Sequence, residues 1–566
     1  MNKKLFIMLC VGALCVQSQG CKFLQTDAGT HTPTVADNNN QDTETQDTFF
    51  IQSQGPHSAI VAWNGLPEDT YLIQARPSGE SHWTEFAVEN GQTSYTFFHL
   101  EKGQTYEMQL KNMSQNTDWT ASTMIVFDGT IASGNSYDGT VYYVANDGND
   151  NNTGTQEAPF ASFTKVENIL ASATGPVSVL FKRGDTWYGT LTLPQVSGTD
   201  PDHRVRIGAY GDGKQPKFFG SANINTLNWT QYSGDIYQTS INMPGAGAIF
   251  IDGEMVYPGR SDIYVMQAGG GATSAVIIDP SGRNLIGSQA AHRGDQWNAE
   301  SQIITDQTAL SGNQVKLNWV ESPNSANNGE QNNGLYIYNH LDFVDQSKEW
   351  MYNENQQTLY LHTANNVLSK DIRAPQYDYG IEVLGDHYEI SDINIKYYWK
   401  DGIFINGEYV RVQYNTITHN YNAAVFMDGN TDHAQVLHNK INDISGVGVH
   451  AFFTSFGEFM YNDIRNISDK AWGRSTGKHD QPFVANNQFS TGISGMSTES
   501  NIARGNYLEN IGYVGIRFDG RNHLIEQNII VHAMQMLGDG GAIYSYQAPN
   551  SAFPTHKTWC STISLR

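Results

Sequence analysis

At 566 residues the chain is long enough for more than one domain. Its formal net charge of −24 argues against nucleic acid or an anionic membrane surface as a partner, while leaving a local groove free to differ. Glycine is abundant (54) and aromatic residues reach 11%, which suits a turn-rich β protein, and four cysteines are too few for a disulfide scaffold.

The first element is an export signal. Lys3 and Lys4 precede an apolar run from Leu5 to Val16, too short for a lasting membrane span. Ser18-Gln19-Gly20-Cys21 follows. A cysteine after small residues just past the apolar core resembles a bacterial lipobox. The resemblance implies residues 1–21 as a lipoprotein signal, lipid on Cys21, and an exported chain anchored in the bacterial envelope, at the outer membrane or the cell surface. Plain secretion with a chance cysteine is the alternative. Cys10 and Cys15 would leave with the signal, so Cys560 would have no intramolecular partner. Residues 22–48 read as a disordered tether, since from Thr26 to Thr48 the sequence is Thr, Asn, Asp and Gln with almost nothing apolar.

Residues 49–132 read as a small β-sandwich. Ala59-Ile60-Val61-Ala62-Trp63 and Tyr71-Leu72-Ile73-Gln74-Ala75 are strands, and Tyr106, Met108 and Leu110 alternate along another. The spacing Leu100…Gly103…Tyr106, with Trp63 upstream, resembles the fibronectin type III fold, which implies Tyr106 as its tyrosine corner. Such a module serves either as a spacer or as a sugar-binding domain.

After a Gly- and Ser-rich linker at 133–140, Val141-Tyr142-Tyr143-Val144 leads into the acidic loop Asp147–Thr155 and Ala158-Pro159-Phe160. The run resembles the opening motif of many extracellular β-helix proteins. The loop lacks EF-hand spacing, so a tight turn capping the next segment is preferred to calcium binding. Phe163 to Ala171 is expected to be a short helix that covers the open end of the first coil. Residues 177–181 and 205–211 read as first coils. Residues 221–368 break the rhythm and read as a large insertion, with Trp350-Met351-Tyr352 and Thr358–Leu361 as a hairpin inside it.

From Ala374 to Tyr546 a small residue followed by an apolar strand recurs: Gly380-Ile381, Gly402-Ile403, Ala424-Val425, Gly448-Val449, Gly492-Ile493, Gly515-Ile516 and Ala542-Ile543. The steps are 22, 22, 24, 44, 23 and 27 residues, and the 44 reads as two periods with a weak rung near Lys470–Gly473. A second column, Asp392, Asn415, Asn439, Asn462, Asn506 and Asn528, keeps the same period and suits an amide ladder at αL-tolerant turns. Short β-branched runs broken by Asn, Gly and Asp are strand and turn signals, so each unit is one coil of a parallel β-solenoid. Over 141–546 the pattern resembles the right-handed parallel β-helix proteins of the pectate-lyase-like superfamily. The large insertion tilts that resemblance toward its glycoside hydrolases. The expected fold is therefore all-β, a right-handed parallel β-helix preceded by a fibronectin-III-like sandwich. Residues 547–566 read as an irregular tail with no further coil, as if the chain were truncated there.

Along each repeat strand the residue after the small one is interior, so the next faces outward. That outward column is Glu382, Phe404, Phe426, His450, Ser494, Arg517 and Tyr544, with Trp472 on the weak rung. A stripe of aromatics, His and Arg suits an extended sugar polymer; a sheet covered by the insertion is the plainer reading. Phe426, His450, Trp472, Arg517, Arg521 and Tyr544 are the substrate-binding candidates. Glycoside hydrolysis needs two carboxyl groups. Asp519, in Arg517-Phe518-Asp519-Gly520, and Asp539, in Gly538-Asp539-Gly540-Gly541-Ala542-Ile543-Tyr544, are the candidates, and β-helical hydrolases resemble the chain at the second segment. Each is equally readable as a turn Asp before Gly.

A polysaccharide lyase of this fold would instead use an Arg or Lys as base, often with calcium on the uronate; Arg474, Lys478, Arg504, Arg517 and Arg521, with His450, His479 and His523, are available. A non-catalytic glycan binder is the third reading. No phosphate loop, His-Glu-x-x-His or zinc cysteine pair is present, and hydrolysis is expected to need no cofactor or metal. A polysaccharide partner and a monomeric chain are expected.

Overall fold

The computed structural model describes residues 49–545, with breaks of which the longest are 128–138, 321–333, 469–490 and 536–539, together with 559–561 and 564–565. The signal, Cys21 and the tether lie outside the described residues. The fold is all-β, with one short α-helix, Phe163–Ala171, among the described residues.

The first strands make two small sheets. Phe50–Gln54, Ser58–Ala62 and Ser94–Phe98 form one; Thr84–Ala87, Tyr71–Pro77, Thr105–Asn112 and Thr123–Val126 form the other. The inward residues of both, including Val61, Trp63, Ile73, Met108 and Leu110, close a common core. Tyr106 and Leu100 lie buried in it. Tyr71 ties its hydroxyl to the backbone, its oxygen accepting from the Leu66 N–H at 2.8 Å.

From Thr140 onward three parallel sheets wrap one continuous core. In chain order each coil contributes a strand to a first sheet of ten strands, a second of nine and a third of eight. The interior stack is as the repeat spacing requires: Ile381, Ile403, Val425, Val449, Ile493 and Ile516 are wholly buried. The amphipathic helix Phe163–Ala171 closes the first coil, laying Phe163, Val166 and Leu170 on the core. Ser162 caps it by accepting from the Lys165 N–H, and Asp150 accepts from the N–H groups of Ala161 and Ser162 and from the Ser162 hydroxyl at 2.6 Å. The acidic loop is thus a capping turn.

The asparagine ladder is an interior device. Asn415, Asn439, Asn462, Asn506 and Asn528 are at most 1% exposed. Each side-chain oxygen beyond the first coil accepts both the backbone N–H and the amide N–H of the Asn one coil earlier, at 2.9–3.1 Å. The second amide hydrogen reaches a carbonyl of the preceding coil, as from Asn462 to Val436 at 2.8 Å. Every polar group of the amide is satisfied without water, which is what burial of a polar side chain demands. Asp392 does not belong to this column: Ile393 takes the equivalent place and donates its N–H to Asn415. Nor do the ladder residues carry the left-handed backbone. That falls one residue earlier, on Asp392, Tyr414, His438, Tyr461, Gly505 and Gln527.

Three further expectations are corrected. Lys470–Gly473 lies outside the described residues, but no coil stands where the weak rung was expected, since Val447–Phe452 pairs directly with Ile493–Glu499 in parallel and Asn462 bonds directly to Asn506. The 44-residue step is one coil with a long connection. The tail is not irregular throughout: Trp559–Ser561 pairs with Leu524–Glu526, and Ser564–Leu565 with Ile529–Val531, so two sheets continue past Tyr546. Finally, the insertion runs further than Leu368, since Ile372–Pro375 pairs with Ser221–Asn223 at its base and with Ile249–Ile251 inside it. Its expected hairpin is present, Trp350 opposite Leu361 and Tyr352 opposite Leu359.

Candidate functional site

The outward faces of the three sheets differ in chemistry. On the first, polar side chains pair from coil to coil: Glu389 with Arg411 at 3.4 Å, Arg411 with Gln435 at 2.8 Å, Gln435 with Glu458 at 2.8 Å. On the second, Asn442, Asn466 and Asn510 form an outer amide ladder. Both faces are occupied by their own stacking. The third sheet instead presents Glu382, Phe404, Phe426, His450, Ser494, Arg517 and Tyr544 in register.

The connections single out the same sheet. Between the second and third sheets most turns are short, such as 397–400 and 419–422, but three are long: 220–378, 468–492 and 532–542. Beyond the third sheet, 545–558 is the longest connection to the first. Ile493–Glu499 is thus entered through a long connection and Ile543–Tyr544 is entered and left through one, while Ile516–Arg521 stands between them on the short turns 512–515 and 522–523. The insertion meets the helix on turn residues before the third sheet: Phe250 packs on Tyr397 at 4.6 Å and on His419, and Met255 receives the Ser445 hydroxyl.

Within this stretch the backbone is irregular. Two residues, 496 and 497, stand opposite Asp519 alone, a β-bulge in the strand beside it. Bulges re-aim side chains and recur beside active sites. Gly520 follows at φ 131°, and a Cβ there would sit 1.8 Å from the Thr498 carbonyl oxygen, so only glycine fits. Asp519 is 8% exposed. One of its oxygens accepts both Arg517 Nε at 3.0 Å and Nη2 at 2.7 Å, and the Arg517 guanidinium lies over the Tyr544 ring at 5.6 Å. Arg521 pairs with Glu499 at 2.6 Å, and that contact holds the Glu499 carboxyl below its ordinary range.

His450 lies on the outward column yet is only 2% exposed. Burial, with the Arg517 charge adding, pushes its pKa down to about 4, so it is a neutral ring at physiological pH. Phe426 is sandwiched, with Phe404 parallel to it at 6.0 Å and His450 at 4.9 Å. One face is stacked on Phe404, and the His450 ring stands tilted by 46° to it on the other side. Sequence reasoning chose Phe426 for face stacking and passed over Phe453 and Phe456 in the following turn, which are 51% and 46% exposed. No periodic signal marks them, since they fall between strands. Asp539, Trp472, Arg474, Lys478 and His479 lie outside the described residues. Arg504 pairs with Glu526, and His523 is fully buried, its Nδ1 accepting the Asn501 N–H. Among the described residues no cluster of three or more His, Cys, Asp or Glu is arranged to hold a metal.

Residues 324–489 and 379–553 each match the family model described as the right-handed beta helix region. A solved structure described as a glycoside hydrolase superposes with a TM-score of 0.56 over 76% of this chain and 88% of its own, at 12% identity, and shares the fold. Looser matches include the pectate lyase Pel9A, with TM-score 0.34 and 10% identity over 77% of this chain and 78% of that one. An alginate lyase from a Paenibacillus species matches with TM-score 0.31 and 8% identity over 75% and 99%. No curated protein matches by sequence.

Proposed function

We propose that the chain is a polysaccharide-active glycoside hydrolase working on the outer face of the third sheet. One observation carries this reading: Asp519 is held by the Arg517 fork opposite a β-bulge, on the face flanked by the longest connections. A carboxylate that accepts two guanidinium N–H bonds is an acceptor, suited to the base or nucleophile role; Asp539, in the adjoining connection, is then the proton donor. That a protein of the same fold is described as a glycoside hydrolase supports the choice, as an analogy of fold. The lyase reading is less well supported, because the described arginine candidates Arg504, Arg517 and Arg521 are all engaged with carboxylates. An ion-paired guanidinium is a poor proton acceptor.

Product mass spectrometry on a polysaccharide panel tests the reaction. Each cut should add one water, and Asp519→Asn should lower kcat about a thousandfold with glycan affinity kept. Unsaturated products without added water, or unchanged turnover in the variant, would overturn the assignment.

We propose further that the chain is held in the envelope through lipid on Cys21. Cys21→Ser should move it from the membrane fraction to the soluble fraction and abolish labelling by a radioactive fatty acid; continued membrane retention would refute the anchor.

A further inference from the structure

The turns from the third sheet to the first carry a column of left-handed residues: His387, Tyr409, His433, Phe456, Ser500 and Asn522, all with φ between 56° and 60°. Each of the first five donates its N–H to the carbonyl just before the next member, so the column is in strict register. The first four are rings stacked face to face. His387 to Tyr409 is 5.0 Å, Tyr409 to His433 4.6 Å and His433 to Phe456 5.0 Å, with planes within 12° of parallel. The stack stops at Phe456, because the next coil offers only Ser500. Phe456 has one face on His433 and is 46% exposed. Its other face looks toward a place that an aromatic ring would fill.

Polar groups surround that place. Glu499 and Arg521 pair beside it, the Asn522 amide donates to Glu499 at 3.4 Å, and Asn522 is exposed. Phe453, in the same turn as Phe456, packs edge-on against Phe452 at 4.3 Å, and Phe452 lies 6.0 Å from His450 on the groove. An apolar ring face next to carboxylate, guanidinium and amide groups matches a pyranose, which has an apolar face and a rim of hydroxyls. A sugar ring is also about as thick as the rung spacing of roughly 4.8 Å.

We propose that Phe456 and Ser500 form a sugar-binding subsite, in which one pyranose ring completes the aromatic stack above Ser500 while Glu499, Arg521 and Asn522 bind its hydroxyls. The subsite rests on the glycan reading of the groove and extends it onto the adjoining turn.

Two variants test it in native gels containing soluble xylan, galactan or β-glucan, and by KM on whichever is cleaved. Phe456→Ala removes the platform and should weaken retardation and raise KM about tenfold with kcat little changed. Ser500→Phe keeps the platform but fills the sugar's place. The column already holds aromatic residues at this φ, so the variant should fold with an equal or higher melting temperature and lose retardation to the same degree. A purely structural role for the stack predicts the opposite for Ser500→Phe, unaltered binding. Cleavage by the parent with neither variant altering retardation or KM would overturn the subsite and leave the hydrolase reading standing. A parent that neither binds nor cleaves any of the three would overturn both.

Discussion

Single residues on the third sheet are set by what stacks above and below them. Asp401 opens one of its strands at 3% exposure, accepting Asn422 Nδ2 at 2.7 Å and the Ala423 N–H at 3.1 Å. Burial outweighs these bonds and the nearby Lys400 charge, and pushes its pKa up to about 7, with Asp378 adding to the rise. A carboxyl whose folded pKa is raised contributes stability below its unfolded value, near 4, and loses it as pH climbs through 7. Asp401→Asn keeps an oxygen for the Ala423 N–H and removes the charge. It should therefore match the parent near pH 4 and exceed it at pH 8 by about 4 kcal/mol. Thermal melts across that range decide it, and a variant less stable at pH 8 would mean that the ionised form is welcome there. His450 illustrates what single residues hide. Its outward parity was legible from the repeat, but its burial and the sandwiching of Phe426 depend on rings one coil away, which a strand pattern does not encode.

At the scale of elements, periodicity was the most legible signal, because each coil must repeat one interior residue and one ladder amide to stay in register. Asn415 through Asn528 were readable for that reason, and so was the helix Phe163–Ala171, whose apolar residues follow a helical rather than a strand spacing. Errors arose where spacing alone was trusted. Asp392 fell one residue out of the ladder because polar residues also occupy the left-handed position before it, where Tyr, His, Gly and Gln serve equally. The 44-residue step looked like two coils since it is twice 22, yet hydrogen bonding joins Val449 to the coil of Ile493 without an intermediate. The bulge opposite Asp519 was invisible, because a two-against-one pairing is a property of two strands together. Asp519 was a catalytic candidate from the sequence nonetheless, although its place before a glycine reads equally as a turn.

For the molecule as a whole, the solenoid separates support from function. Its register is complete without the insertion: Leu191–Leu193 pairs with Ile381–Val383, and Lys217–Phe219 with Asn394–Lys396, across the point where 220–378 departs. The insertion carries its own cores, around Trp350 and Ile249 in one part and Trp319 and Ile304 in another. At its base Asn223 stands opposite Arg373 in an antiparallel pair, so a two-residue Asn-Gly turn can close the chain there. Because repeat proteins draw stability from neighbouring coils, replacing 224–372 by that turn should leave a folded solenoid with one cooperative unfolding transition. Its midpoint should lie within about 10 °C of the parent's, the cost being the uncovered Tyr397 and Tyr421 seats. Aggregation or a broad, non-cooperative melt would show that the insertion is part of the folding unit. In the folded variant, retained hydrolysis would confine the working groove to the coils around Arg517 and Asp519. Loss of glycan affinity would mean that the insertion walls the groove, and the long connection at this turn would then exist to shape substrate binding on a scaffold that folds without it.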